Sequence, residues 1–292
     1  MNTDMATSSA THGSLRDRLS YLLVLSRPRF WLYLAGPVIV GVATAATTLA
    51  DLFAPEAVVL FAYFLVPANV FLYGVNDVFD VDVDEANPKK DDREARWHGD
   101  PVNLAIVVGS GVLGLGLFAL TPQVAWPWLV AHFFLAVEYS APPFRFKTTP
   151  FLDSVSNGLY ILPGVAAYAT IAGVNPPALA IAGAWLWTMG MHTFSAIPDI
   201  DPDREAGIRT TATVLGERWT YAYCAVTWGL AAVAFALVDV RLGALLAAYP
   251  LVVLGIAFSG VDVDEAYWWY PLLNTVVGML ITFGALWSIV NG

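Results

Sequence analysis

The segment Asn76-Asp77-Val78-Phe79-Asp80-Val81-Asp82-Val83-Asp84 concentrates carboxylates at a spacing that could bind a divalent cation. On a helix of about 3.6 residues per turn, Asn76, Asp80 and Asp84 share one face at i, i+4 and i+8. Asp77 joins the edge of that stripe, whereas Asp82 points away. Like charges so arranged repel unless a cation bridges them. Hard oxygen donors of this kind suit Mg2+, which binds through a few carboxylates plus phosphate oxygens and keeps its waters. The plainer reading is a solvated acidic helix end, which needs neither Asn76 nor the regular spacing.

A second acidic group, Asp199-Ile200-Asp201-Pro202-Asp203-Arg204, puts Asp199 and Asp203 at i, i+4 if a helix runs past Pro198 and Pro202. The two prolines work against that geometry. Two carboxylate sets facing each other would hold a diphosphate through bridging Mg2+ ions, which neutralise a leaving group as its C–O bond breaks. Cations to meet the phosphates stand in Tyr139-Ser140-Ala141-Pro142-Pro143-Phe144-Arg145-Phe146-Lys147. Arg145, Lys147 and Arg209 are the favoured contacts; Arg204, Lys89, Lys90, Arg29 and the Tyr139 hydroxyl are further candidates. For each basic residue the alternative is a membrane-side anchor.

These groups must be positioned by membrane-spanning helices. Of 292 residues, 58% are hydrophobic and 13% charged, and the mean hydropathy is +0.62. A soluble chain carries roughly a quarter charged residues. Apolar runs between polar breaks predict nine helices, near 29–50, 57–79, 102–120, 124–140, 154–173, 177–197, 218–238, 241–259 and 267–290. Residues 1–26 read as a polar arm without the apolar core of a signal peptide, and 27–292 as a single all-α membrane domain. If the arm is cytoplasmic, every basic residue except Arg241 falls on its side, as the positive-inside rule requires. Both aspartate clusters follow even-numbered runs, so both face the cytoplasm, and their spacing hints at two four-helix halves with a ninth helix added.

Charge excludes other classes. A net charge of −10 makes nucleic acid an unsuitable partner. Lysine is scarce among the basic residues, a balance suited to high salt as well as to an ordinary acidic membrane protein. The single Cys224 provides no disulfide. Transporters place ionisable groups near the bilayer midplane, whereas these acids gather at helix ends. The spans themselves exclude a soluble isoprenyl synthase.

Together, Asn76-Asp77-x-x-Asp80-x-x-x-Asp84, the Tyr139–Lys147 stretch and Asp199-x-x-x-Asp203-Arg204-x-x-Gly207-x-Arg209-Thr210 resemble the UbiA superfamily of intramembrane prenyltransferases. The resemblance runs from Arg27-Pro28 to the last helix. It implies a nine-helix bundle around a central cavity with a cytoplasmic mouth, where two Mg2+ ions hold an isoprenoid diphosphate and a lipophilic acceptor enters from the bilayer. One departure is Asn87-Pro88-Lys89-Lys90-Asp91-Asp92, where many members have Asn-x-Arg-Pro-x-x-x-Gly. The opening, Ser26-Arg27-Pro28-Arg29-Phe30-Trp31-Leu32-Tyr33-Leu34-Ala35-Gly36-Pro37, is similar to the branch that elongates lycopene with dimethylallyl diphosphate. Other acceptors in the superfamily are geranylgeranylglyceryl phosphate and quinone precursors. A cation formed on lycopene would need a group to hydrate or deprotonate it; Glu138, Asp153 and Asn157, near the expected mouth, are candidates, with helix-end solvation as the alternative. Phe30, Trp31, Tyr33, Tyr73, Tyr160, Trp185 and Trp187 offer aromatic faces to passing cations, although such residues more often form interface belts or lipid-facing packing.

Overall fold

The computed structural model describes residues 15–81, 97 and 99–291, and all regular structure among them is helical. Helix α1 (Leu15–Leu25) lies within the predicted polar arm, yet Leu25 is buried against Val70 and Val107. The first predicted run forms α2 (Trp31–Ala45). The second is two helices, α3 (Pro55–Leu65) and α4 (Pro67–Phe79), broken at Val66. Pro67 explains the break, since proline excludes helical torsions from the residue before it. Asn69 repairs the ends, its Nδ2 donating to the carbonyls of Phe64 and Leu65, both at 3.0 Å.

The chain continues through α5 (Pro101–Leu115), α6 (Leu117–Leu120) and α7 (Trp126–Glu138). The fifth run is also interrupted: α8 (Leu152–Val155), a 3-10 segment (Ser156–Tyr160) and α9 (Leu162–Ala172). Then follow α10 (Ala178–Ser195), α11 (Ile200–Glu205), α12 (Thr211–Leu215) and α13 (Glu217–Ala236). The last are α14 (Val240–Leu246), α15 (Ala248–Ser259) and α16 (Val263–Asn291).

Six of these segments are long and apolar enough to cross a bilayer: Pro55–Phe79, Pro101–Leu120, Leu152–Ala172, Glu217–Ala236, Val240–Ser259 and Val263–Asn291. The predicted runs at 29–50, 124–140 and 177–197 form α2, α7 and α10. The first two are short, and α10 interleaves Thr188, His192, Thr193 and Ser195 with its apolar residues. Leu251, Phe258, Trp269 and Trp287 are exposed on the outer surface. Such a surface is stable only in an apolar solvent, and lipid supplies it.

Two apolar cores hold the bundle. One joins α2, α3, α4, α7 and α9 through Leu34, Phe64, Leu72, Leu129 and Ala166. The other joins α10, α13, α15 and α16 through Phe194, Trp228, Tyr249 and Tyr270. A smaller cluster, Leu162 and Val165 of the fifth run with Ile161, bridges the two by packing on both α7 and α10, while the fifth run also lies close against the first. There α9 approaches α2 closely, Gly41 and Gly164 leaving room for direct backbone contact.

Candidate active site

Helix α4 delivers the first motif. Asp77 is only 2% exposed, and Arg27 Nη2 lies 3.7 Å from its Oδ1. Asn76 Oδ1 accepts a hydrogen bond from Ser140 Oγ at 3.0 Å. The predicted continuous helix through Asp84 is interrupted: α4 ends at Phe79, and Asp80 is its C-cap with φ −108 and ψ 5. Arg145 explains the stop, because its Nη2 donates to the Phe79 carbonyl at 3.2 Å. A guanidinium thus satisfies a carbonyl left orphaned at the helix end. Asp84, Lys89 and Lys90 lie outside the described residues.

The loop after α7 brings cations to these acids. Lys147 Nζ is paired directly with Asp80, and Arg145 Nη2 is 3.7 Å from the same carboxylate. Burial pulls the Lys147 ammonium down to about 8, against the opposing charge of Asp77. Arg145 has φ 44 and Arg27 φ 49, left-handed torsions that non-glycine residues seldom adopt. Both strained residues aim guanidinium groups at the first motif.

The second motif is built differently from its prediction. Helix α10 stops at Ser195, and α11 restarts with Asp199 as its N-cap. Pro202 then sits in the first turn, where its missing N–H costs nothing. The i, i+4 relation survives, since Asp203 N donates to Asp199 O at 2.9 Å. Asp199 and Asp203 line a cavity of about 220 Å3 together with Lys147, Tyr139 and Thr210. Lys147 therefore touches both halves of the site, through Asp80 on one side and this cavity on the other.

Other predicted residues take different places. Arg204 turns to the Thr213 carbonyl, with Nε at 3.1 Å and Nη2 at 2.8 Å, and does not line the cavity. Arg209 is exposed between Ile208 and Thr210, which do line it. Arg29 stacks on Trp268 with its guanidinium carbon 3.5 Å from the ring centroid, tying the start of α2 to α16. Glu138 Oε2 accepts from Phe144 N at 3.3 Å. Asp153, 1% exposed, binds Thr211 with both oxygens, one of them accepting from Thr211 N at 2.8 Å. Asn157 Nδ2 donates to the Asp153 carbonyl at 2.6 Å. Asp153 and Asn157 thus anchor the segment after the second motif.

Arg27 enters the sequence reading as a basic residue of the N-terminal side and as the start of the family resemblance, but not among the candidate site contacts. A signal was available: it immediately precedes Pro28 at the start of the first run.

The donor set fits Mg2+. Among the described residues, no three of His, Cys, Asp and Glu converge tightly enough to enclose an ion. Mg2+ does not require that, since one or two carboxylates with substrate phosphates and waters complete its octahedron. Asn76, Asp77 and Asp80 on one side, and Asp199 and Asp203 on the other, would be the residues to offer such oxygens.

A model of the UbiA prenyltransferase family matches residues 34–266. A lycopene elongase/hydratase of Haloferax volcanii is 78% identical to this chain, the match covering 100% of both. A lycopene elongase/hydratase of Halobacterium salinarum is 64% identical over 93% of this chain and 99% of its own. Among solved structures, a UbiA homolog from Archaeoglobus fulgidus bound to DMAPP and Mg2+ shares the fold with a TM-score of 0.68. Its sequence is 20% identical, and the match covers 90% of this chain and 99% of that one.

Proposed function

The chain belongs to the UbiA prenyltransferase family, and on that premise we propose that it transfers a dimethylallyl group from its diphosphate to the ends of lycopene, with hydration of the new end, in C50 carotenoid synthesis. The observation that carries the transferase chemistry is the shared cavity: Asp199 and Asp203 line it beside Lys147, the lysine that binds Asp80. The full-length relatives support lycopene as the acceptor and hydration as the accompanying step. The Archaeoglobus fulgidus homolog, solved with DMAPP and Mg2+, supports the donor and the metal.

In this reading Asn76, Asp77 and Asp80, with Asp84, hold one of two ions, and Asp199 and Asp203 hold the other. Bound there, Mg2+ supplies neutralisation of the charge that develops on the departing diphosphate. Lys147 and Arg145 bind phosphate oxygens from the Asp80 side, and Arg27 from the Asp77 side. Arg209, Arg204, Lys89, Lys90, Arg29 and Tyr139 are the outer candidates of the same set; Arg204 would first have to leave Thr213. The allylic cation is attacked by a terminal alkene of lycopene, in a pocket whose bilayer-facing walls exclude water. Nine membrane-crossing segments, with the N-terminus and the cavity mouth at the cytoplasmic face of the cell membrane, complete the proposal.

Purified protein given Mg2+, dimethylallyl diphosphate and lycopene should form C45 and C50 products. Turnover with geranylgeranylglyceryl phosphate or a quinone precursor but none with lycopene would reassign the acceptor.

A further inference from the structure

Behind the carboxylates stands a wall of aromatic residues drawn from three parts of the chain. Tyr73 precedes Asp77 by one helical turn on the same face of α4. The Arg27 guanidinium, beside Asp77, lies 4.5 Å from the Tyr73 ring centroid. Phe30 packs at 5.2 Å from Tyr33 and 6.4 Å from Tyr73, and Tyr160 meets Tyr33 edge-on at 6.1 Å. The hydroxyls of Tyr73 and Tyr160 are 3.5 Å apart. The hydroxyl of Tyr33 is buried and has no hydrogen-bond partner among the described residues. Asn274, whose Oδ1 accepts from the Tyr249 hydroxyl at 2.8 Å, approaches it without closing a hydrogen bond.

Three phenols so placed are not explained by packing. Phenylalanine fills the same space, and a buried hydroxyl without a partner is destabilising. The arrangement suits a polar spot inside an aromatic pocket next to the diphosphate site. Such a pocket stabilises a cation through ring faces, and the Tyr73 and Tyr160 hydroxyls, 3.5 Å apart beside the Tyr33 ring, offer one water the polar partners that buried water requires.

We propose that Tyr33, with Tyr73 and Tyr160, holds and aims the water that captures the cation left on the acceptor after dimethylallyl transfer. This rests on the dimethylallyl-to-lycopene reading above. The electrons balance as follows. The diphosphate departs with the C–O bonding pair, and the alkene pair of lycopene forms the new C–C bond, leaving a tertiary cation. A lone pair of the water forms the C–O bond to that carbon. One water O–H bond then breaks, and the proton passes to the released diphosphate. Without an aimed water, the cation loses a neighbouring proton instead and an alkene forms. Tyr33 therefore decides between alcohol and alkene, and not whether transfer occurs.

The test compares wild type with Tyr33→Phe and Tyr160→Phe, each given Mg2+, dimethylallyl diphosphate and lycopene in oxygen-18 water. Wild type should form prenylated tertiary alcohol carrying the label. Tyr33→Phe should still form the C–C bond, with the alcohol-to-alkene ratio falling about a hundredfold, the range of a reactant displaced by about 1 Å. Tyr160→Phe should lower the ratio less. The unfolding temperature of Tyr33→Phe should stay close to that of wild type, because no hydrogen bond to another described residue is removed. An unchanged ratio in Tyr33→Phe would overturn the proposal, as would transfer and hydration declining together in both variants. Wild type that transfers nothing to lycopene would fail the substrate reading itself, and the water assignment with it.

Discussion

Arg27 and Arg145 hold left-handed backbone torsions, and both side chains reach the first aspartate motif. Such torsions cost a non-glycine residue about 1–2 kcal/mol, a penalty typical of positions where function over-determines the backbone. Replacing Arg27 by Gln removes the cation beside a nearly buried carboxylate. Arg27→Gln should therefore lower stability by about 2 kcal/mol in a thermal melt. It should also raise KM for dimethylallyl diphosphate about tenfold, the equivalent of roughly 1.4 kcal/mol. A KM equal to wild type would remove Arg27 from the diphosphate contacts. Asp80→Asn keeps the shape of the side chain and deletes its charge. That change and Asp199→Ala should each slow prenyl transfer by about a hundredfold or more, the usual effect of losing a charge-stabilising group, while circular dichroism stays helical. Transfer at the wild-type rate in both would sink the metal assignment.

At the scale of elements, the site depends on contacts remote from it. A Cβ on Gly164 would lie 2.5 Å from the Pro37 carbonyl oxygen, and one on Gly41 would collide with the Gly164 carbonyl. Close packing of α2 on α9 sets the position of Arg27 and Tyr33 relative to Tyr160. Gly164→Ala should accordingly destabilise the protein by about 1–3 kcal/mol. Gly255→Ala, with open space around the new methyl, should not. Melting both in detergent checks the pair; equal transitions would mean that the helices separate at no cost. Asp153 acts at this scale too. By binding Thr211, it fastens α8 to α12 and so fixes the segment holding Thr210 at the cavity.

For the whole molecule, the distribution of basic residues predicts the orientation. Cys224 is fully buried, so the wild-type chain offers little background to a thiol reagent. Arg241→Cys and Glu205→Cys place single thiols at exposed positions on opposite predicted sides. In intact cells an impermeant maleimide should label Arg241→Cys, and should reach Glu205→Cys only after permeabilisation. The reverse pattern would invert the topology. The outermost helix, α16, buries almost none of its most apolar stretch within the protein. It is fastened by Arg29 on Trp268 and by Tyr270 against Phe194 and Trp228.

The residues alone determined that the chain needs lipid and that its acids suit Mg2+ and phosphate, and they predict that both motifs fall on the side where basic residues collect. Those are properties of composition and spacing, which hydropathy and like-charge repulsion translate directly. Tertiary structure decided how the charges pair. Arg27 and Asp77 are remote in sequence, and the packing of α1 and the turn after it against α4 brings them to 3.7 Å. Arg204 looks like a site residue by spacing, yet α12 offers it the Thr213 carbonyl and holds it outside the cavity. Asp153 looks like an acid near the mouth, yet Thr211 takes both of its oxygens. In each case the outcome turned on which buried polar group found a partner across the fold, because a buried charge or carbonyl without one is expensive.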